Sequence, residues 1–579
     1  MPASGNARCQ LESEFPSQVR PRGPATGPVA LKSEEARLGA VTTMLFMLLA
    51  VAASSFAARA TGWPAPLVQI ALGAAVGFSP LPSVVLDPEV FFLLFLPPLL
   101  FLDGWRIPKD ELFRDAATVL RLALGLVLFT VLGMGLFIHW LVPAMPLPVA
   151  FALAAVISPT DPIAVSSVAS RTPIPKRVMH VLEGEALLND ASGLVCMRFA
   201  VAAALTGAFS LPQALLSFLW LGLGGAAIGT ALAWLVSSAQ RWSIGRFGDA
   251  GGNEILVTLL LPFGAYLLAE HAHCSGVLAA AAAGITMSFT GDEHWHGRNR
   301  IQRTAVWDTV QAMANGSIFV LLGEQLPAIV SAAGESVTSA EHQSPAWLAV
   351  YVVAIVAGLA ALRFAWVWVS LRTQAWHAQR RGEPGPMVNW RLVMVVSLAG
   401  VRGAVTLAGV LTLPLALSDG TPFPARDLAI SLAAGVILLS LLVATFSLPH
   451  LLRGLQLPAE PSERVAEDEV RRVAAQAAIR ALESARQDMA AGVPDPSLCT
   501  EAAARLEMTY RLRIDKLASA PDDAEALASA DRIERQLRLV ALRAERDAII
   551  RHGRELGLAE LAQQRLLREI DLVEARYGA

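Results

Sequence analysis

Nine ionisable residues, Asp103, Asp161, Glu183, Glu185, Asp190, Arg198, Glu324, Arg363 and Arg402, fall within or at the edges of long apolar runs. A charge at the centre of a membrane helix costs about 2.5–3.5 kcal/mol on an insertion scale. A single one can snorkel or serve as a paired structural charge. A cluster of acids with few basic partners should instead line a polar cavity and mark an ion or proton path. The densest cluster is Leu182-Glu183-Gly184-Glu185-Ala186-Leu187-Leu188-Asn189-Asp190. At about 100° per residue in a helix, Glu185 and Asn189 share one face, four apart. Ala186, Asp190 and Gly193 lie on a neighbouring face, with Glu183 seven before Asp190. An aspartate among small residues suits a small hard cation, which needs carboxylate and carbonyl oxygens with room to approach.

Two further segments are built to break a helix. Ser158-Pro159-Thr160-Asp161-Pro162 carries two prolines three apart, which remove backbone donors and disfavour helical geometry before each ring. Such a break frees carbonyls and exposes half-helix ends that carry partial charge. Gly400-Val401-Arg402-Gly403-Ala404 places an arginine between glycines, where close packing or interruption is easy. Discontinuous helices near the membrane midplane are how many secondary transporters build a substrate site.

The elements that carry these segments follow from composition. Of 579 residues, 54% are hydrophobic and 16% charged, with a mean hydropathy of +0.50. The charged share lies well below the ~25% of a soluble chain. A membrane-crossing helix needs about 20 mainly apolar residues. Thirteen runs qualify, near 39–59, 64–79, 88–104, 116–138, 148–169, 178–205, 212–238, 254–271, 274–290, 305–331, 346–371, 390–416 and 427–452. The expected fold is an all-α polytopic membrane protein of about 13 spans. Residues 1–38 are expected to be a disordered N-terminal segment, 39–455 the membrane domain, and 456–579 a cytoplasmic helical tail.

Loop charges orient the spans. Sixteen Lys and Arg residues fall in gaps after odd-numbered spans, and only Arg426 in a gap after an even one. Positive loops stay cytoplasmic, which places the tail inside and the N-terminus outside. The positive residues Arg8, Arg20, Arg22, Lys32 and Arg37 fit an outside segment poorly. The first span, ending Ala58-Arg59-Ala60, also resembles a cleavable signal; a retained helix is preferred, because its removal would leave orientation to weaker signals. Spans five and twelve, which hold the two breaks, are seven apart. That odd offset makes spans 1–6 and 8–13 an inverted pair with span seven as linker.

The remaining features are quieter. Net charge is −3 and no basic stripe suggests nucleic acid. The cysteines Cys9, Cys196, Cys274 and Cys499 form no pair motif. His271, His273 and Cys274 are read as interfacial residues rather than a zinc site, which usually has two separated ligand pairs. No cofactor is expected. In the tail, Ile533, Leu537, Val540 and Ile549 recur at helical spacing among charges, and Pro494, Pro496 and Pro521 punctuate its helices. A small helical domain, with a dimer contact, is favoured there over a regulatory sensor.

Leu96-Pro97-Pro98-Leu99-Leu100-Phe101 followed by Asp103, then Thr160-Asp161-Pro162, Gly184-Glu185 to Asn189-Asp190, and Gly400-Val401-Arg402-Gly403-Ala404-Val405, resemble in that order the NhaP/NHE-type sodium/proton antiporters. The resemblance covers roughly positions 40–450. It implies a homodimer with a six-helix core containing two crossed broken helices. It further implies that Asp190 binds cation and proton in turn, that Thr160 supplies oxygens at the break, and that Asp103 is an acid near the site. Asp161 would compensate the crossed helix ends, and Glu185 would pair with Arg402. Asn189 before Asp190 resembles the electroneutral branch, and Ala186 stands where many relatives carry a serine ligand.

The expected function is therefore a secondary transporter in the plasma membrane, serving pH homeostasis by exchanging Na+ for H+ one to one through alternating access. K+ is the alternative ion, and Li+ a further candidate. A cation channel could be lined by the same acids, but a pH gradient alone would not make it accumulate cations. A membrane aspartyl protease would need a Gly-x-Gly-Asp run, which the chain lacks, so no enzymatic role is expected.

Overall fold

Where apolar runs are long and water is excluded, a segment can satisfy its backbone groups alone only as a helix, and helices are what these runs form. The computed structural model describes residues 28–79, 88–106, 125–162, 164–165, 176–206, 211–248, 252–290, 297–339, 346–381, 389–417, 420–453, 461–490, 496–518, 521–555 and 560–577. Within them the chain divides into two compact units, Met1–Gln456 and Leu457–Ala579.

The described helices of the first unit are α1 (Pro28–Thr61), α2 (Ala65–Gly77), α3 (Pro88–Arg106), α4 (Leu126–Leu141), α5 (Leu147–Ile157), α6 (Lys176–Thr206), α7 (Leu211–Phe247), α8 (Gly252–His271), α9 (Gly276–Thr290), α10 (Gly297–Ser339), α11 (Ala346–Arg381), α12 (Trp390–Leu398), α13 (Ala404–Leu411) and α14 (Arg426–Leu452). Each predicted span overlaps one of these, and the twelfth is split between α12 and α13. Five described stretches are long and apolar enough to cross a membrane by length and composition: Thr42–Thr61, Leu219–Phe247, Gly252–His271, Ala346–Arg381 and Arg426–Leu452. The helix α1 begins at Pro28, so residues 28–38, expected to be disordered, are helical. Residues 1–27 of that segment, and the loop charges Lys109, Arg114 and Arg171, lie outside the described residues.

Two groups of helices emerge from the packing. In a core group, α4, α5 and α6 pack together, as do α11, α12, α13 and α14, and α11 joins the halves through α4. In a scaffold group, α2 lies on α10 and α1, while α3 lies on α9 and α8, and α7 on α9. The pattern repeats with an offset of seven spans: α3 on α9 is matched by α10 on α2, and α4 on α5 by α11 on α12. Both matched scaffold contacts use glycine at the point of closest approach. A Cβ at Gly284 of α9 would overlap the Phe101 carbonyl of α3, and one at Gly323 of α10 the Ile70 carbonyl of α2. Small residues let backbones meet where no hydrophobic force drives helices together.

Outward faces carry large apolar side chains, among them Leu219, Leu223, Leu256, Leu260 and Phe289. Scattered exposed leucines are ordinary, but contiguous apolar faces of this extent call for an apolar surrounding.

In the second unit, α15 (Pro461–Ala490) packs on α16 (Pro496–Ala518), and α17 (Pro521–Glu555) on α18 (Glu560–Tyr577). Three of these four helices open on proline, whose fixed φ suits a first turn with no amide partner. Exposed ion pairs one turn apart, such as Arg511–Glu507 at 2.5 Å and Arg471–Glu467 at 2.8 Å, run along their surfaces. Ile533, Leu537 and Val540 form an exposed apolar stripe on α17.

Candidate functional site

The site is built where two helices stop in mid-run. Helix α5 ends at Ile157, residues 158–161 are non-helical, and helical geometry returns at 162 and 164–165. Residues 399–403 likewise separate α12 from α13. The two breaks touch through their backbones: the Asp161 amide donates to the Val401 carbonyl at 2.7 Å. Residues 240 positions apart thus share one bond that closes the crossing.

Each break leaves carbonyls at one half-helix end and amides at the other, carrying partial negative and positive charge. The side chains answer both. Arg402 Nε donates to the Ile157 carbonyl, at the end of α5, at 2.8 Å, and its Nη1 to the Gly400 carbonyl just past α12. Its backbone amide donates to Ser440 Oγ of α14 at 3.2 Å. The Asp161 carboxylate serves the amide ends. It accepts from the Ala164 amide at 3.2 Å and lies against Gly403, immediately before α13, where a Cβ would overlap it. One cation therefore sits on carbonyl ends and one anion on amide ends.

Beside this crossing lies a cavity of about 30 Å³, lined by Asp103 of α3, Thr160 and Asp161 of the first break, Asp190 of α6, Asn315 of α10 and Thr406 of α13. A space of that size holds a water or a dehydrated ion. Asp190 is 8% exposed and Thr160 5%, whereas Asp103 is only half-buried. Asn189 Nδ2 donates to Thr160 Oγ1 at 3.1 Å, tying α6 to the break, and its buried Oδ1 accepts no hydrogen bond among the described residues. Gly193, one turn beyond Asp190, lets Pro159 pack directly on α6. Ala186 is buried on the same helix.

Of the residues expected at the site, Asp190, Thr160, Asp103 and Asp161 line one cavity, and Asn189 adjoins it through Thr160. Glu185 and Arg402 do not line it. The expected Glu185–Arg402 pair is corrected. Glu185 instead holds Arg363 of α11 in a bidentate pair, at 2.6 and 2.9 Å, with both side chains buried. Arg363 also donates to the Val396 carbonyl of α12 at 3.0 Å. The reason is charge logic: Arg402 is taken by the carbonyl ends of the broken helices, which leaves Glu185, on the other strip of α6, to the arginine of a neighbouring helix. Among the described residues no group of three or more His, Cys, Asp or Glu gathers around a possible metal position; His273 adopts a left-handed conformation that ends α8.

Sequence reasoning missed Asn315 and Thr406. Neither is charged, so neither violated the hydropathy pattern. The available signal for Asn315 was a carboxamide at mid-span, next to Gly316.

The family model described as "Sodium/hydrogen exchanger, transmembrane" matches residues 44–454. The uncharacterized Na+/H+ exchanger YjcE of Escherichia coli (strain K12) is 39% identical over 92% of this chain and 98% of its own length. A sodium, potassium, lithium and rubidium/H+ antiporter of Bacillus pumilus (strain SAFR-032) is 41% identical over 70% of this chain and 60% of its own. The sodium proton antiporter MjNhaP1 of Methanocaldococcus jannaschii has a similar fold, with a TM-score of 0.51 and 20% identity over 74% of this chain and 99% of its own.

Proposed function

The chain belongs to the sodium/hydrogen exchanger family, a family of membrane antiporters, and we propose that it exchanges Na+ for H+ one to one, with Asp190 as the group both ions occupy. The observation that carries this reading is a buried carboxylate facing a small cavity beside two interrupted helices, with the Thr160 hydroxyl and Asp103 carboxylate on the same cavity.

Exchange needs a group that cannot hold both ligands at once. A single carboxylate meets that need, because a proton on its oxygen removes the charge that attracts the cation. Thr160, at the break, supplies a neutral oxygen for a hard monovalent ion. Asp103 adds an acid at the margin, Asn189 braces Thr160, and Asp161 and Arg402 neutralise the crossing. Either ion neutralises Asp190, whereas the empty carboxylate is an uncompensated buried charge and is costly to carry through an apolar barrier. Only loaded forms cross, which couples the two fluxes. The core group would move against the scaffold to open the site on each side in turn.

The same reading makes the protein a homodimer of the plasma membrane, with tail inside, N-terminus outside and a role in pH homeostasis. The exposed Ile533–Leu537–Val540 stripe supports a second copy as partner. K+ transport is a second reading, favoured by Ala186 in place of a hydroxyl ligand and by the broad ion range in the name of the Bacillus relative.

The test is proton flux in proteoliposomes with Na+, K+ and Li+ in turn. Asp190→Asn is expected to abolish exchange while leaving an inserted, folded protein, and clamping the membrane potential should leave the wild-type rate unchanged. Wild-type flux from Asp190→Asn would reject the assignment.

A further inference from the structure

The scaffold wall of the cavity is polar at two positions, Asp103 on α3 and Asn315 on α10, among leucines Leu96, Leu99 and Leu100. Both belong to polar strips. On α10, Asp308, Gln311 and Asn315 are spaced three and four apart and so share one face. On α3, Arg106 lies three beyond Asp103. The strips meet outside the cavity, where the Arg106 guanidinium donates to Gln311 Oε1 at 2.7 Å and pairs with Asp308. Exposure falls steadily inward. Asp308 and Arg106 are 57% and 39% exposed, Asn315 and Asp103 are half-buried, and Asp190 is 8% exposed.

We propose that this α3–α10 seam is the approach path of the transported cation, and that Asn315 at its inner end is a specificity-determining contact. The inference rests on the reading of Asp190 as the exchange site. A cation leaving water must exchange hydration oxygens for protein oxygens in steps. A chain of half-buried polar groups between leucines supplies those steps, and an uncharged carboxamide offers an oxygen without trapping the ion. At the outer end Arg106 would repel a cation, and Asp308 and Gln311 hold and neutralise its guanidinium. Asp103, Asp161 and Asp190 all line the cavity at the inner end, so acids replace the arginine inward. Because Asn315 belongs to the scaffold and Asp190 to the core, the contact exists only while the two groups are apposed as here. Asn315 thus discriminates among ions at the handover to the site.

The experiment uses the full chain in proteoliposomes, comparing wild type, Asn315→Leu and Asn315→Asp, with apparent KM and Vmax for Na+, K+ and Li+ and thermal unfolding in parallel. Asn315→Leu should raise KM by about tenfold, roughly the effect of losing one contact to a charged group, with a smaller change in Vmax. Asn315→Asp, of equal size, should lower KM and alter the ratio among the three ions. Folded variants that keep wild-type KM for all three ions would overturn the proposal; if Asn315→Leu does not fold, Asn315→Asp decides alone. An Asp190→Asn variant that exchanges like wild type would sink the reading of the site instead, whatever Asn315 does.

Discussion

Glu185 and Arg363 show how a buried charge is tolerated in an apolar bundle. Each side chain is almost wholly buried, and the bidentate geometry satisfies both carboxylate oxygens. Such a pair adds little net stability over apolar replacements, but removing one partner strands the other, at about 3–5 kcal/mol. We expect Glu185→Gln and Arg363→Met each to lower yield and thermal stability sharply. The double variant should recover most of the loss, because no lone charge then remains. Unfolding temperatures of the detergent-solubilised proteins test this, and single variants as stable as wild type would remove the structural role. The pair lies off the ion cavity, so folded single variants should keep the ion preference of the wild type.

At the scale of elements, the two interrupted helices depend on each other. Arg402 reaches carbonyls from both, at Ile157 and Gly400, and this takes a forked guanidinium rather than a point charge. Arg402→Lys keeps the charge and loses the rigid fork that holds both carbonyls. It should cost about 1.5–3 kcal/mol, the usual range for a hydrogen bond to a charged group. Because the loss falls at the crossing beside Thr160 and Asp161, exchange should fall before expression does. Transport per inserted molecule measures it, and a Lys variant with normal flux would show that charge alone suffices. Further out, Gly284 and Gly323 bring α9 onto α3 and α10 onto α2 at backbone contact.

For the whole molecule, the division at Gln456 separates an apolar unit from a charged helical one. The core of the first unit is closed by its own helices: among the largest fully buried side chains are Trp307, Phe101, Met134 and Ile157, all from the membrane unit. Truncation after Gln456 is therefore expected to leave insertion and cation/proton exchange in place, while self-association weakens through loss of the α17 stripe. Size-exclusion with light scattering and vesicle flux on the truncated chain check both halves. A truncated protein that inserts and yet fails to exchange would assign the tail a part in transport.

Hydropathy and proline spacing are local quantities, and they were enough to place a run over each described helix of the first unit, the interruption at Thr160 and the buried acid at Asp190, because a helix in an apolar medium must satisfy its own backbone and pays heavily for each stray charge. Partnership was different. Glu185 and Arg363 are 178 residues apart, and Arg402 and Ile157 are 245 apart. One chain offers several arginines that could answer one glutamate. Which of them does depends on where carbonyl ends and helix faces meet after packing, and uncharged groups such as Asn315 gain their meaning only from the cavity they come to face.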